Sequence, residues 1–445
     1  MQIISQFVEK NGKWYLEVEG KPFLYHSIQS WFPPDGKLEE RFAAAARLDF
    51  RVFTIWLYWA HLEPQCGVFD FTVLDEMIKL ADKYNLRLDI VWAGTNFCDH
   101  LDPRFAPEWV LSHHDWHVKD ETGECKYAEG FDMGRCCAAD PSAEELFSYE
   151  YRVLEAMFNY LHAHDVTRRV ICIQLENEFN INKYVALKSS TLSYIDRMAE
   201  KLKILSYKIA LRVNIAAWEY DQMDPDIDQM KHIDAQGIDT YIAEVSYTRK
   251  VLNDGNATRF RYIAENAAYE NVTSHVIASL ACGAFYNTYE LGYDEMRERL
   301  GAFGSDWKLL PVSLRLLELN RSLNCAPELI ASAPPCDMVE FNTENDYMPS
   351  MEYYREVSLY GHTIAFGTRN SSIAVGLLVY KEGYYYLFSD GDATLQFKDI
   401  PKEATAGYME DGSWFVDIDR ITACRQENDR YLLNFRSGEC VRVLL

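Results

Sequence analysis

From about Pro22 to Tyr289, short β-rich apolar runs alternate with longer amphipathic stretches, and this alternation narrows the available folds more than any other feature. The runs are Pro22–Ile28, Phe53–Tyr58, Leu88–Trp92, Val170–Leu175, Ala210–Ile215, Gly237–Ile242, Tyr262–Glu265 and Cys282–Asn287. Between them lie Lys37–Arg47, Val73–Tyr84, Ala143–His164, Leu192–Leu205 and Val272–Ala281. In Ala143–His164 the apolar positions Leu146, Tyr149, Val153, Met157, Tyr160 and Leu161 recur mostly at intervals of three and four, the helix period. Most runs are apolar at both parities, as strands covered on both faces must be. Eight such strands with intervening helices predict a closed parallel (β/α)8 barrel, its fifth and sixth helices only weakly marked. Ahead of it, the first twenty residues alternate and turn at Asn11-Gly12, predicting a β-hairpin.

One connection stands apart. About fifty residues, Ala93–Pro141, separate the third strand from its helix and are rich in Trp, His, Asp and Gly. Loops of that length in a compact domain usually serve function, and in a barrel a loop after a strand lies on the catalytic face. After Ser332 the pattern changes again. Ser-Ala-Pro-Pro-Cys-Asp marks a break, and short alternating runs joined by KEG, SDGD, EDGS and RSGE turns follow. We therefore expect two domains: residues 1–332 as the barrel with its hairpin, and residues 333–445 as a small all-β, sandwich-like domain.

Charge excludes some function classes. The 445 residues carry 44 Lys and Arg against 68 Asp and Glu, a formal net charge of −24. Nucleic acid and anionic membrane surfaces both demand clustered cations, so neither is expected as a partner. No run of about 20 apolar residues is present to span a bilayer. The N-terminus lacks the basic-then-apolar order of a signal peptide, and the 11 cysteines are odd in number and scattered. A reducing cytoplasm is the expected location. No phosphate-cradling glycine motif occurs, and Cys125, Cys136 and Cys137 lack the spacing of a zinc site. Neither a cofactor nor a metal is expected.

In a barrel, carboxylates at the C-terminal ends of strands point toward the substrate space. The fourth strand ends in Gln174-Leu175-Glu176-Asn177-Glu178, the seventh in Ala264-Glu265-Asn266, and the eighth runs into Tyr289-Glu290. A single strand-end Glu is more often paired or solvated than catalytic. Two on separate strands among aromatic residues fit the machinery of glycoside hydrolysis. Aromatics make 14% of the chain, and Trp56, Tyr58, Trp59, Trp92, Trp218, Tyr241 and Tyr286 fall on or near strand ends, where sugar rings stack. Each taken alone is more often core than site.

These residues carry a resemblance. ICIQLENEF resembles the Asn-Glu motif that ends strand four in clan A glycoside hydrolases. The segment from Thr54 to Gly94, with its Glu-Pro and its Gly-Val-Phe-Asp-Phe, resembles the β-galactosidases of families 35 and 42. FAPEWV resembles a loop of the bacterial family 35 branch that has a small C-terminal β domain. The resemblance implies Glu178 as general acid/base, Asn177 as the partner of the sugar 2-hydroxyl, and Glu265 as nucleophile. The Ala-Glu-Asn context departs from the family pattern and leaves Glu244 and Glu290 as alternatives, while Glu176 competes with Glu178. Tyr58, Trp92, Asn96, Tyr241, Trp218, Tyr286 and Asn287 are the expected substrate contacts. The expected function is a retaining exo-β-glycosidase, first a β-galactosidase. The alternatives are another sugar specificity, such as β-glucosidase or β-mannosidase, or an inactive carbohydrate-binding barrel. A glycoside or oligosaccharide is the implied partner, and similar enzymes are often soluble homo-oligomers.

Overall fold

The computed structural model describes residues 3–10, 12–30, 36–94, 105–125, 127–129, 135–179, 188–217, 226–253, 259–292, 301–342, 353–368, 374–419, 424–427 and 429–445. β1 (Ser5–Lys10), β2 (Lys13–Val18) and β3 (Lys21–Pro22) form an antiparallel sheet at the start of the chain. Pro22 therefore belongs to this sheet, and the first barrel strand starts later than expected, at His26.

The barrel is closed by β4 (His26–Ser30), β5 (Val52–Tyr58), β6 (Arg87–Ala93), β9 (Val170–Leu175), β10 (Ala210–Ala216), β11 (Ala235–Asp239), β12 (Phe260–Ala267) and β13 (Phe285–Tyr289). Each strand pairs in parallel with the next, and β13 returns to β4. The connections hold α1 (Leu38–Arg47), α2 (Trp59–Leu62), α3 (Thr72–Tyr84), α4 (Glu108–Leu111), the pair β7 (Tyr127–Glu129) and β8 (Arg135–Cys137), α5 (Glu144–His164), α6 (Lys188–Lys203), α7 (Val245–Leu252) and α8 (Val272–Ala281). α4, β7 and β8 give the long third connection structure of its own. The sixth strand ends at Asp239, three residues short of the expected Ile242, because Tyr241 takes a left-handed backbone (φ 44°). The eighth spans Phe285–Tyr289 rather than Cys282–Asn287, since a turn at Gly283 precedes it.

Strand parity sorts the residues. Leu88, Ile90 and Trp92 face outward into the main apolar core under the helices, whereas Asp89 and Val91 alternate with them and face the barrel interior. That interior holds a buried ion pair, Arg212 Nε to Asp89 Oδ2 at 2.8 Å. A charge pair so deep needs further hydrogen bonds to offset its desolvation. Here Tyr25 donates to Asp89, and Arg212 Nη1 donates to Tyr262 Oη (2.7 Å) and to Gln174 Oε1.

α9 (Pro311–Asn324) and α10 (Pro327–Ser332) lead into an all-β region. Its strands are β14 (Met338–Asn342), β15 (Tyr353–Leu359), β16 (His362–Thr368), β17 (Val375–Lys381), β18 (Tyr384–Ser389), β19 (Ala393–Phe397), β20 (Glu403–Glu410), β21 (Ser413–Asp419), β22 (Arg425–Glu427), β23 (Arg430–Phe435) and β24 (Cys440–Leu444). They make one antiparallel sheet ordered β14-β17-β18-β24-β20-β21 and another ordered β15-β16-β19-β23-β22. Phe341, Leu378, Leu387 and Val441 pack with Ile364, Phe366, Leu395 and Leu433 in one apolar cluster between the sheets. Leu377, Val379 and Phe388 point the other way, into the main core with α8 and α9. β17 and β18 are thus covered on both faces, which is why their sequence is apolar without alternation.

Candidate active site

Three acidic side chains meet at the C-terminal end of the barrel. Glu178 follows β9, Asp239 ends β11 and Glu265 lies in β12; all three are buried. Asp239 and Glu265 are register partners on adjacent strands, where a bulge lets Glu265 take the place parity would give Ala264. Thr240 N donates to Glu265 O at 2.8 Å and fixes that register.

The Glu265 carboxylate accepts from Gln29 Nε2 at one oxygen and from Tyr241 Oη at the other. Burial, followed by the charge of Glu178, pushes its pKa up to about 7, while those two donors oppose the rise. Gln29 is itself held: Asn287 Nδ2 donates to Gln29 Oε1 and to Ala264 O, both at 2.7 Å, and Ser27 Oγ donates to Asn287 Oδ1 at 2.6 Å.

Glu178 is placed by Asn214. Asn214 Oδ1 accepts from the Glu178 backbone N–H (3.1 Å), while Asn214 Nδ2 donates to Asn177 Oδ1 (2.8 Å) and Asp239 Oδ2 (2.6 Å). Gln174 Nε2 donates to Asn177 Oδ1 at 2.9 Å, which links the site to the Arg212–Asp89 pair below. Glu176 (φ 61°) and Glu178 (φ 43°) both have left-handed backbones, costly for side-chain-bearing residues and typical of sites that need an unusual aim. This twist separates the two acids. Glu176 turns to Glu150 of α5, while Glu178 turns to Asp239.

Other expected contacts distribute unevenly. Asn177, Tyr241 and Asn287 lie in the network around the carboxyls. Tyr58 is buried at the end of β5, its ring stacked on His61 (4.8 Å) with Phe105 4.9 Å away. Phe105 also packs on Trp56 at 5.5 Å, so the long loop covers these two aromatics. Trp92 and Tyr286 are corrections. Both sit at outward parities in the main core; Trp92 donates its indole N–H to Glu150 Oε1 at 2.7 Å, and Tyr286 packs near His26 and His275. Trp59 likewise is core, its indole donating to Glu63 at 3.1 Å. Asn96 and Trp218 lie outside the described residues. Of the alternative nucleophiles, Glu244 is exposed at the start of α7, and Glu290 accepts from Ser30 Oγ at 3.3 Å. Asp239 is absent from the sequence-based candidates because the expected run Gly237–Ile242 places it inside the strand, whereas the strand ends there.

The Glu-Pro of the second connection has a structural explanation. Glu63 is wholly buried, paired with Arg152 and bonded to Trp59 and the Gly67 N–H (2.7 Å). It clamps the loop rather than facing the carboxyls. Among the described residues no group of three or more His, Cys, Asp or Glu is arranged to hold a metal ion, and no helix is long and apolar enough to cross a membrane.

Residues 29–189 match the family model of glycoside hydrolase family 42, described as Beta-galactosidase. Over this stretch the chain is β-galactosidase-like. It contains Gln29, the Glu63 clamp, Asn177 and Glu178, and the resemblance to clan A glycoside hydrolases drawn from the motifs stands. No curated protein sequence matches the chain. Among solved structures, a β-galactosidase from Bacillus circulans sp. alkalophilus is similar at TM-score 0.55 and 14% identity, covering 70% of this chain and 57% of that one. The exo-β-1,4-mannosidase Op5Man5 from Opitutaceae bacterium strain TAV5 gives 0.53 and 12%, covering 74% and 64%. A β-galactosidase from the psychrophilic Marinomonas ef1 gives 0.52 and 12%, covering 70% and 62%. The chain thus spans less than two thirds of the length of each, and at these identities the likeness is one of fold.

Proposed function

We propose that the chain is a retaining exo-β-glycosidase that hydrolyses terminal β-linked sugars, with β-galactosides as its first substrate class. The observation that carries this reading is the placement of Glu178 and Glu265, buried and electrostatically coupled at the ends of the fourth and seventh strands of a closed barrel. In the first step a Glu265 oxygen attacks the anomeric carbon as the glycosidic C–O bond breaks, and the Glu178 proton passes to the leaving oxygen. In the second, water attacks the glycosyl ester, Glu178 takes the water's proton, and Glu265 is released. Having given up its proton in the first step, the same Glu178 carboxylate serves as base in the second.

Asn177 is suited to the sugar 2-hydroxyl. Its Oδ1 is already held by Asn214 and Gln174, so its amide N–H groups are oriented by the same network. The family match favours β-galactosides, and the likeness to a β-mannosidase fold puts β-mannosides next. We include in the proposal a domain boundary near Ser332 and a cytoplasmic location, with which the eight free cysteines among the described residues agree.

A panel of 4-nitrophenyl glycosides tests the reading. Release from one β-linked member, with the β-anomer of the sugar formed first by NMR, is the expected outcome. Glu178→Ala should lower kcat/KM on poor leaving groups by about 10²–10⁴ while sparing activated aryl glycosides. Equal losses on both, or no release from any β-linked member, would remove it.

A further inference from the structure

We propose that Asp239 is a positioning residue for Glu178: the two carboxyl groups share one proton, and Asn214 braces them as a pair. The inference rests on the glycosidase reading for its consequences, but its geometry stands alone. Asp239 Oδ2 accepts from Asn214 Nδ2 at 2.6 Å, and the same side chain accepts the Glu178 backbone N–H at 3.1 Å. One amide thus fixes the acid-bearing turn against the end of β11. Asp239 Oδ1 is buried and meets no N–H or O–H donor among the described residues. The Glu178 carboxyl lies within hydrogen-bonding reach of the Asp239 carboxyl. Two buried carboxylates facing one another repel, so this contact is stable only with a proton between them.

The surroundings favour that proton. Burial first, then the charges of Glu265 and Glu178, hold Asp239 well above the ordinary carboxylate range, and Arg212 is the cation that opposes them. Tyr241, a further titratable neighbour, donates its hydroxyl to Glu265. Before reaction the pair carries one negative charge and Glu265 another. When Glu178 gives its proton to the leaving oxygen, the pair becomes doubly charged while Glu265 becomes a neutral ester, so total charge is unchanged. The doubly charged pair then draws a proton from the attacking water more strongly than a lone Glu178 would. Asp239 therefore shares the proton that the pair gives and takes at both steps without touching the sugar.

Asp239→Asn and Glu178→Gln separate the shared proton from the chemistry, after circular dichroism shows that both variants fold. Infrared spectra of the substrate-free protein, recorded at pH 8 in a Glu150→Gln background so that neither Glu150 nor most of Glu265 holds a proton, should show a protonated-carboxyl C=O band that both substitutions abolish. A band that survives Asp239→Asn overturns the shared proton, whether or not any glycoside is hydrolysed. In the kinetic arm, Asp239→Asn should move the basic limb of kcat/KM on poor leaving groups to lower pH by about one unit or more, a tenfold loss per unit beyond it. Activated aryl glycosides should lose far less. An unmoved limb with activity retained would mean that Asp239 is only structural. A wild type inactive on the whole panel would sink the glycosidase reading and leave the infrared result to decide the pair.

Discussion

At the scale of single residues, the site depends on which groups hold charge. Tyr241 donates to Glu265 and so stabilises its ionised form against the burial that raises it to about 7. In the proposed role of nucleophile Glu265 acts ionised, so kcat/KM of the free enzyme should rise with pH through about 7. Tyr241→Phe removes a hydrogen bond to a charged group, worth about 1.5–3 kcal/mol, which corresponds to a rise of roughly one to two pH units. The acid limb should move up by that amount, with the loss at pH 6 much larger than at pH 9. An acid limb left in place would show that Glu265 is not the group being titrated. Residue chemistry of this kind was only partly legible in the sequence. Glu178 and Glu265 stand out as candidates in the sequence because strand ends of a barrel face the substrate space. Asp239 went unread because a lone Asp at the end of Gly-Ile-Asp has no signature until its neighbours are known.

At the scale of elements, parity did most of the sorting. The strand Val170–Leu175 and the helix Val272–Ala281 coincide with their sequence runs, since apolar periodicity is set by the faces the elements bury. Parity also explains where sequence reading failed. Trp92 shares its side of β6 with Leu88 and Ile90, so it had to face the helices rather than a sugar. What it does there is specific. Trp92 and Tyr194 donate to the two oxygens of Glu150 (2.7 and 2.5 Å), and Glu176, two residues before Glu178, lies against the same carboxyl. A Cβ at Gly94 would collide with Glu150 and Trp92, so a glycine must follow the strand for Glu150 of α5 to reach Trp92. Burial, then the charge of Glu176, raises the Glu150 pKa to about 8. The folded state therefore keeps a proton between about pH 4.5 and pH 8 that the unfolded chain gives up. Stability from this site is fully present below that window and falls as pH rises through it, by ~5 kcal/mol in total. Glu150→Gln can donate to Glu176 without titrating. Its denaturation midpoint relative to wild type should improve from pH 5 to pH 8; a constant difference would mean that Glu150 is ionised throughout.

At the scale of the whole molecule, the break at Ser332 is a change of pattern rather than a loose joint. Ser322 Oγ donates to Glu439 O, Met409 N donates to Cys325 O at 2.6 Å, and Lys13 from the first hairpin reaches Ile330 O (3.4 Å) and Ala333 O. None of this could be read from composition, because each contact joins residues distant in sequence through a backbone atom. Arg315 of α9 makes the sharpest case. Its guanidinium meets the buried Asp390 at 2.6 Å, and Asp390 also accepts the Val375 N–H at 2.8 Å. Burial raises the Asp390 pKa, and Arg315 is the largest opposing influence. Arg315→Ala would leave that carboxylate uncompensated under a sheet that shares its core with α8 and α9, at a cost of about 3–5 kcal/mol. Because Leu377 and Phe388 pack into the same apolar cluster as the barrel helices, the loss should lower one common unfolding transition. Adding Asp390→Asn to Arg315→Ala should recover part of it, since the orphaned charge is then gone. Two separate transitions in calorimetry, with only the later one moved by Arg315→Ala, would show instead that barrel and sandwich fold independently.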